Sequence, residues 1–309
     1  MSTALAPFLN GALQPCGETV CAMLSVAALN DHADVLELLL AWDAGVQEYN
    51  SAWEIHDARH PLLRAARYGA LRAVQCLVKF HKRTWDAGSV LAVLENAAGE
   101  AAAKGHVDVV QWLLKSKADT NGLPQIAVWG GFPDVLQTAI SAKADVNLCD
   151  HNGTLPLVLA AAQGRTSMVE LLLAAKADVH ECDESQNHFA LLAAARTNCL
   201  EVAKMLLRSK ASVHQRSPGF GAMPVWKAVQ SGHFRMLALL LRAKAELDVR
   251  KALSGSVAAR HYGTVAWLLR NRPHIVTPAT VEQQLARFHQ PPIACVPELR
   301  AALPTNFRP

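Results

Sequence analysis

The chain has 309 residues, of which 51% are apolar, 18% charged and 6% aromatic, a balance too apolar for disorder and sufficient to bury a continuous core. Its seven cysteines, Cys16, Cys21, Cys76, Cys149, Cys182, Cys199 and Cys295, are scattered and include no C-x-x-C pair, which argues against a disulfide framework or a thiolate metal cage and fits a reducing compartment. The formal net charge of +4 conceals a division: residues 1–200 carry 14 Lys and Arg against 21 Asp and Glu, whereas residues 201–309 carry 16 against 5.

At the amino terminus, residues 1–14 hold no basic residue ahead of their apolar stretch. No apolar run reaches the roughly 18 residues of a spanning helix. A targeting signal and a membrane span are therefore not expected, and the chain reads as a soluble intracellular monomer, cytoplasmic or nuclear. Residues 1–18 read as a cap segment, 19–273 as a repeat array, and 274–309 as a terminal helix with a Pro-rich tail.

The array declares itself by its period. The best-formed unit runs from Asp150 to Val179, with Thr154-Leu155-Pro156-Leu157, the pair Ala160-Ala161, Gly164, the cluster Leu171-Leu172-Leu173, and Lys176-Ala177-Asp178-Val179. With Gly164 as anchor, equivalent positions are Asp31, Gly69, Gly105, Gly131, Asn198, Gly232 and Arg260, at intervals of 38, 36, 26, 33, 34, 34 and 28. Small residues precede the anchors at Ala27-Ala28, Ala65-Ala66, Ala101-Ala102, Ala194-Ala195 and Ala228-Val229. Apolar clusters follow seven residues later at Leu38-Leu39-Leu40, Cys76-Leu77-Val78, Trp112-Leu113-Leu114, Met205-Leu206-Leu207, Leu239-Leu240-Leu241 and Trp267-Leu268-Leu269.

Each unit thus predicts two short amphipathic helices joined at the anchor. Alanines allow close helix approach, and the leucine cluster provides the buried stripe. A lone hairpin of this length is marginal in water, so stacking on its neighbours must cover its apolar stripe. Beyond Arg272, Thr277-Pro278 followed by Val281, Leu285 and Phe288 predicts a capped amphipathic helix. That segment either shields the last repeat or serves as a docking element.

This combination, spanning about Thr19 to Arg272, resembles the ankyrin repeat family. The resemblance implies an all-α solenoid of about eight stacked antiparallel helix pairs with short hairpin loops, or fingers, and a binding role. Departures are informative. The family's Thr-Pro-Leu-His tetrapeptide survives only in fragments, at His60-Pro61-Leu62-Leu63, Thr154-Leu155-Pro156-Leu157 and Met223-Pro224-Val225-Trp226, so helix starts should be unevenly capped. The family's Gly after the second helix is replaced by Lys117, Lys143, Lys176, Lys210 and Lys244, which must either accept left-handed backbone or change the turn. The short units anchored at Gly131 and Arg260 should have trimmed fingers, while residues 47–59 are longer than needed and place Trp53 where it could cover an edge.

Catalytic and cofactor motifs do not assemble. Gly219-Phe220-Gly221 lacks a third glycine and a preceding strand, and reads as a turn. His56 and His60, four apart, lack a completing metal ligand. His32, His106, His233 and His261 recur with the period and look like the family's structural turn histidine. Ser254 and Ser256 lack a nucleophile elbow, so no catalysis, cofactor or metal is expected. Trp112 and Trp267 fall within the apolar clusters and read as core.

The resemblance implies recognition on the concave side. Projected onto this chain, the ends of the first helices contribute Arg67, Tyr68, Lys104, Trp129, Gln163, Arg196 and Gln230, and the fingers contribute His151, Asn152, Gln186, Asn187, His188 and Phe220. Tyr, Trp and Arg are the types that dominate interface energetics. The leading expectation is a protein-binding scaffold or adaptor. The alternative is an anionic polymer such as nucleic acid, held by Arg242, Lys244, Arg250, Lys251, Arg260, Arg270 and Arg272.

Overall fold

The structure, a computed structural model, describes residues 17–41, 60–150, 152–182, 189–216 and 223–303. Among them are eighteen α-helices, one 3₁₀ turn and no strand. The chain divides into two units, Met1–Asp145 and Val146–Pro309.

The first unit holds α1 (Gly17–Leu29), α2 (Ala33–Leu40), α3 (Pro61–Arg67), α4 (Leu71–Thr84), α5 (Ala87–Lys104), α6 (Val107–Lys115), α7 (Leu123–Gly130) and α8 (Pro133–Ser141). The odd-numbered helices pack on one another in sequence, as do the even-numbered ones, which gives two layers of four. The second unit repeats the plan with α9 (Pro156–Gln163), α10 (Thr166–Ala174), α11 (Ala190–Thr197), α12 (Leu200–Arg208), α13 (Pro224–Gln230), α14 (Phe234–Arg242), α15 (Val249–Ala258) and α16 (Tyr262–Asn271). There α17 (Pro278–Arg287) lies on α15, and α18 (Pro297–Arg300) lies on α16.

Every anchor adopts positive φ, including the non-glycines Asp31 (55°), Asn198 (60°) and Arg260 (59°). The left-handed residue reverses the chain so that the next amide can reach back over the turn. Thus His106 N–H donates to Ala101 O at 3.0 Å, and Arg165 N–H to Ala160 O at 3.0 Å. The alanine pair therefore closes the turn as well as the packing: Ala65, Ala66, Ala101, Ala102, Ala160 and Ala161 are completely buried.

Outside α4 and α16, the second-helix stripe is narrower than the clusters predict. Only the central residue of the Leu38-Leu39-Leu40 triplet is buried, with Leu38 54% exposed, and Trp112 and Trp267 are half-buried flanks of the core. The buried partner of the central residue lies three positions earlier, as in Val110 with Leu113, Val169 with Leu172 and Leu237 with Leu240. Positions three apart share one helix face, whereas adjacent ones diverge by about 100°.

All five lysines in the family's glycine position are left-handed, with φ between 65° and 74°. Each closes the same motif. Lys176 N–H donates to Leu173 O at 3.0 Å and Ala177 N–H to Leu172 O at 2.9 Å; Lys210 and Lys244 repeat the arrangement. The alanine that follows each lysine is buried, which supplies the apolar contact that accompanies this C-cap. The turn is kept, and its backbone strain is accepted.

Helix starts are unevenly capped. His60 Nδ1 accepts from Leu62 N–H at 3.2 Å, and Asp86 accepts from Ser89 N–H at 3.0 Å. In contrast, α9, α11 and α13 have no side-chain cap. One cap comes from the neighbouring pair: Asp31 Oδ1 accepts from Ala73 N–H in the first turn of α4, at 2.8 Å. Thr277 caps α17, with Pro278 as its first residue.

The main departure from the expected pattern lies between α4 and α5. These helices have 14 and 18 residues, and no finger separates them. Trp85 and Asp86 alone make the connection, and the added turns stand where a finger would. Asp86 stabilises this start, and hydrogen bonds from Ser89 hold its carboxyl below the usual range. The added turn of α4 buries His81 against His60 and Trp85, with ring centroids 5.3 and 4.2 Å away.

Candidate functional site

In the first unit, Arg67, Tyr68, Lys104 and Trp129 stand at the carboxyl ends of α3, α5 and α7. The order follows the packing of α3 on α5 and of α5 on α7. Tyr68 is 59% exposed and Trp129 65% exposed, among the most exposed large apolar side chains of the described residues. Arg67 and Lys104 are exposed beside them. Arg67 Nε stands 3.7 Å from Glu100 Oε2, a solvated pair that orients the guanidinium more than it stabilises the fold. The sequence reading missed Glu100, although its place one helical turn before Lys104 puts it on the same stripe.

Turn histidines tie their helix pairs to the preceding ones. His106 Nε2 lies 3.0 Å from Arg67 O, so the ring's N–H donates to the end of α3 in the preceding pair. In the second unit His233 and His261 do the same to Arg196 O and Gln230 O, at 3.1 and 2.8 Å. Their role is structural, as the resemblance implied. Close contact accompanies it: a Cβ on Gly69 would fall 2.6 Å from His106 Nδ1.

The second unit presents a different row. Gln163 is exposed and accepts from Arg165 Nε; Gln230 is exposed; Arg196 is half-buried. From the fingers, Asn152 is exposed in a turn built on Asp150, whose Oδ1 accepts from Asn152 N–H and Thr154 N–H at 2.9 Å each. Neighbouring fingers are tied by Asn147 Oδ1, which accepts from Asp178 N–H at 2.8 Å, and by Gln215 Nε2, which donates to His180 O at 2.6 Å. His151, Gln186, Asn187, His188 and Phe220 lie outside the described residues, as do Trp53, His56 and the segment Gly219-Phe220-Gly221.

The basic set assigned to an anionic polymer is not gathered into one place. Arg260 stands at an anchor turn, and Arg242 and Lys244 at the opposite end of a hairpin. Lys251 Nζ lies 5.0 Å over the Trp226 ring, and Arg270 donates to Ala301 O to hold the terminal helix. Among the described residues no group of three or more His, Cys, Asp or Glu could hold a metal ion. Burial, with Glu37 nearby, raises the Cys76 thiol to about 11, so that sulfur stays protonated and unreactive.

Beside the lengthened α5 the trimmed finger before α7 leaves an open groove of about 620 Å³ in the first unit. It is lined by Gly88, Leu91, Ala92, Glu95 and residues 117–120. The 36-residue interval between Gly69 and Gly105 hid the exchange of a finger for helix, since each takes up similar length. Asp86 ahead of the apolar run at Val90, Val93 and Leu94 was the legible signal.

Two layers of anchored helix pairs, with turn histidines reaching back to the preceding pair, agree with what sequence comparison finds. The family model described as Ankyrin repeats (3 copies) matches residues 24–122 and again 125–217. The chain belongs to the ankyrin-repeat family. No curated protein matches it significantly. Ankyrin repeats are protein-interaction modules, so in general terms this ankyrin-repeat solenoid is a protein-binding scaffold, a fold that is typically not enzymatic. No described helix is long and apolar enough to cross a membrane.

Proposed function

We propose that the chain is an adaptor whose first unit takes a protein partner on the face formed by Arg67, Tyr68, Lys104 and Trp129. The observation that carries this reading is the exposure of two large aromatics, Tyr68 and Trp129, at corresponding helix ends on either side of α5. Burying an aromatic of this size is strongly favourable, and Tyr and Trp concentrate at the centres of interfaces. Arg67, Glu100 and Lys104 surround them with charge, as a polar rim requires. Gln163, Arg196, Gln230 and Asn152 form a second, more polar row on the other unit. The pairs α13–α14 and α15–α16 lie beyond residue 217; the left-handed anchors of both, and the closing turn of the first at Lys244, support counting them as ankyrin units too, for eight in all.

Affinity capture from a native lysate with the parent chain, with Tyr68→Ala/Trp129→Ala and with Gln163→Ala/Gln230→Ala tests the assignment. Proteins held by the parent and by the glutamine variant should be lost from the aromatic variant, whose melting temperature should stay near the parent's. An unchanged set of captured proteins with the aromatic variant would overturn it.

A further inference from the structure

The second unit carries a ladder of cations along a single edge. Its second helices, α10, α12, α14 and α16, pack side by side in sequence, and each leaves its own anchor turn in the same sense, so their carboxyl ends fall along one edge. That edge bears Lys176 after α10, Arg208 and Lys210 at the end of α12, Arg242 and Lys244 at the end of α14, and Arg272 after α16. All six are exposed, and among the described residues none lies within 4.0 Å of a carboxylate. The positions are structurally equivalent: Lys176, Lys210 and Lys244 have φ of 65°, 65° and 66°.

We infer that this edge is a docking surface for an extended acidic polypeptide segment, separate from the aromatic face of the first unit. The spacing supports the choice of partner. Packed helices lie about 10 Å apart, and three residues of extended chain rise about 10 Å, so carboxylates at every third residue meet successive rungs. Arg208, Arg242 and Arg272 can engage those carboxylates through two parallel hydrogen bonds. Phosphate polymers fit less well. Asp178 and Glu246 interrupt the cations one position beyond the buried alanine, where a continuous phosphate backbone would meet repulsion. The exposed aromatic of this unit among the described residues, Phe234, begins α14 and so lies at the opposite end of the hairpin, away from where bases would need to stack.

The full chain should be titrated, by fluorescence anisotropy at low salt, into a labelled peptide of about sixteen residues with glutamate at every third position. Parallel titrations use a peptide of equal composition with its glutamates clustered, and a single-stranded oligonucleotide of equal charge. The spaced peptide should bind tightest. Arg208→Glu/Arg242→Glu should weaken it at least tenfold, and Arg235→Glu/Arg260→Glu, which changes net charge equally at the other end of the hairpins, less than twofold. The milder Arg208→Gln/Arg242→Gln gives the same comparison if the charge reversal impairs folding. Absence of binding, equal losses in both reversals, or a preference for the oligonucleotide would each overturn the proposal.

Discussion

Replacing the left-handed lysines by glycine should stabilise the protein. The positions are Lys117, Lys143, Lys176, Lys210 and Lys244, with φ from 65° to 74°. A residue with a Cβ costs about 1–2 kcal/mol in this conformation, and glycine returns about 0.5–1 kcal/mol of that through the greater entropy of the unfolded chain. Each lysine also ends a helix as an exposed cation, which contributes about 0.3 kcal/mol through the helix dipole. The net gain is therefore about 0.5 kcal/mol per site, and Lys176→Gly/Lys210→Gly/Lys244→Gly should gain about 1–2 kcal/mol if the sites add. Lys→Ala at the same three positions is the decisive control, because it removes the charge and keeps the strain. Chemical denaturation followed by circular dichroism should place the glycine variant above the parent and the alanine variant at or slightly below it. If glycine and alanine variants unfold together, the backbone at these turns is not strained and the reasoning fails.

Three further outcomes follow from the same geometry. Asp31→Ala removes the cap that Ala73 N–H receives and should cost about 1–2 kcal/mol, whereas Asp31→Asn should recover most of it; equal losses would show that the hydrogen bond is immaterial. Gly105→Ala places a Cβ at φ 80° and 2.5 Å from the Phe132 ring, so its denaturation midpoint should fall by the equivalent of about 2–4 kcal/mol, and a neutral result would contradict the tight stacking of α6 and α8. Burial, and secondarily His60, lowers the His81 imidazole to about 3, so the unfolded chain takes up a proton below its ordinary value while the fold resists. Stability from this group is fully present above about pH 6.5 and declines as pH falls toward 3, by about 2 kcal/mol between pH 7 and 5. His81→Leu should flatten that slope, and parallel pH profiles for variant and parent would count against a buried neutral ring.

Much of the local structure could be read from residue spacing. The anchors at Asp31, Asn198 and Arg260 were placed by period alone, and they share the left-handed turn of the glycines because that turn is fixed by hydrogen bonds to residues only three to five positions away. The same locality explains Thr277 and Pro278 at the start of α17. It also explains why the conformation of the five lysines stayed undecided: strain and an altered turn differ by about 1–2 kcal/mol, a margin that the packing of the following alanine against its own helix pair settles.

Other features were settled by contacts between pairs. Residue type proposed Tyr68 and Trp129, but their exposure depends on how α3, α5 and α7 pack, and the same pattern left Trp112 and Trp267 half-buried. The extension of α4 and α5 in place of a finger, the cap that Asp31 lends to α4, and the shared edge of Lys210 and Lys244 likewise join residues distant in the chain. The period of the chain was enough to determine that it forms ankyrin hairpins and where each one turns. Only the packing of pair on pair decided which side chains stay dry and which stay in water, because water is excluded from a helix face by its neighbours and not by its own sequence.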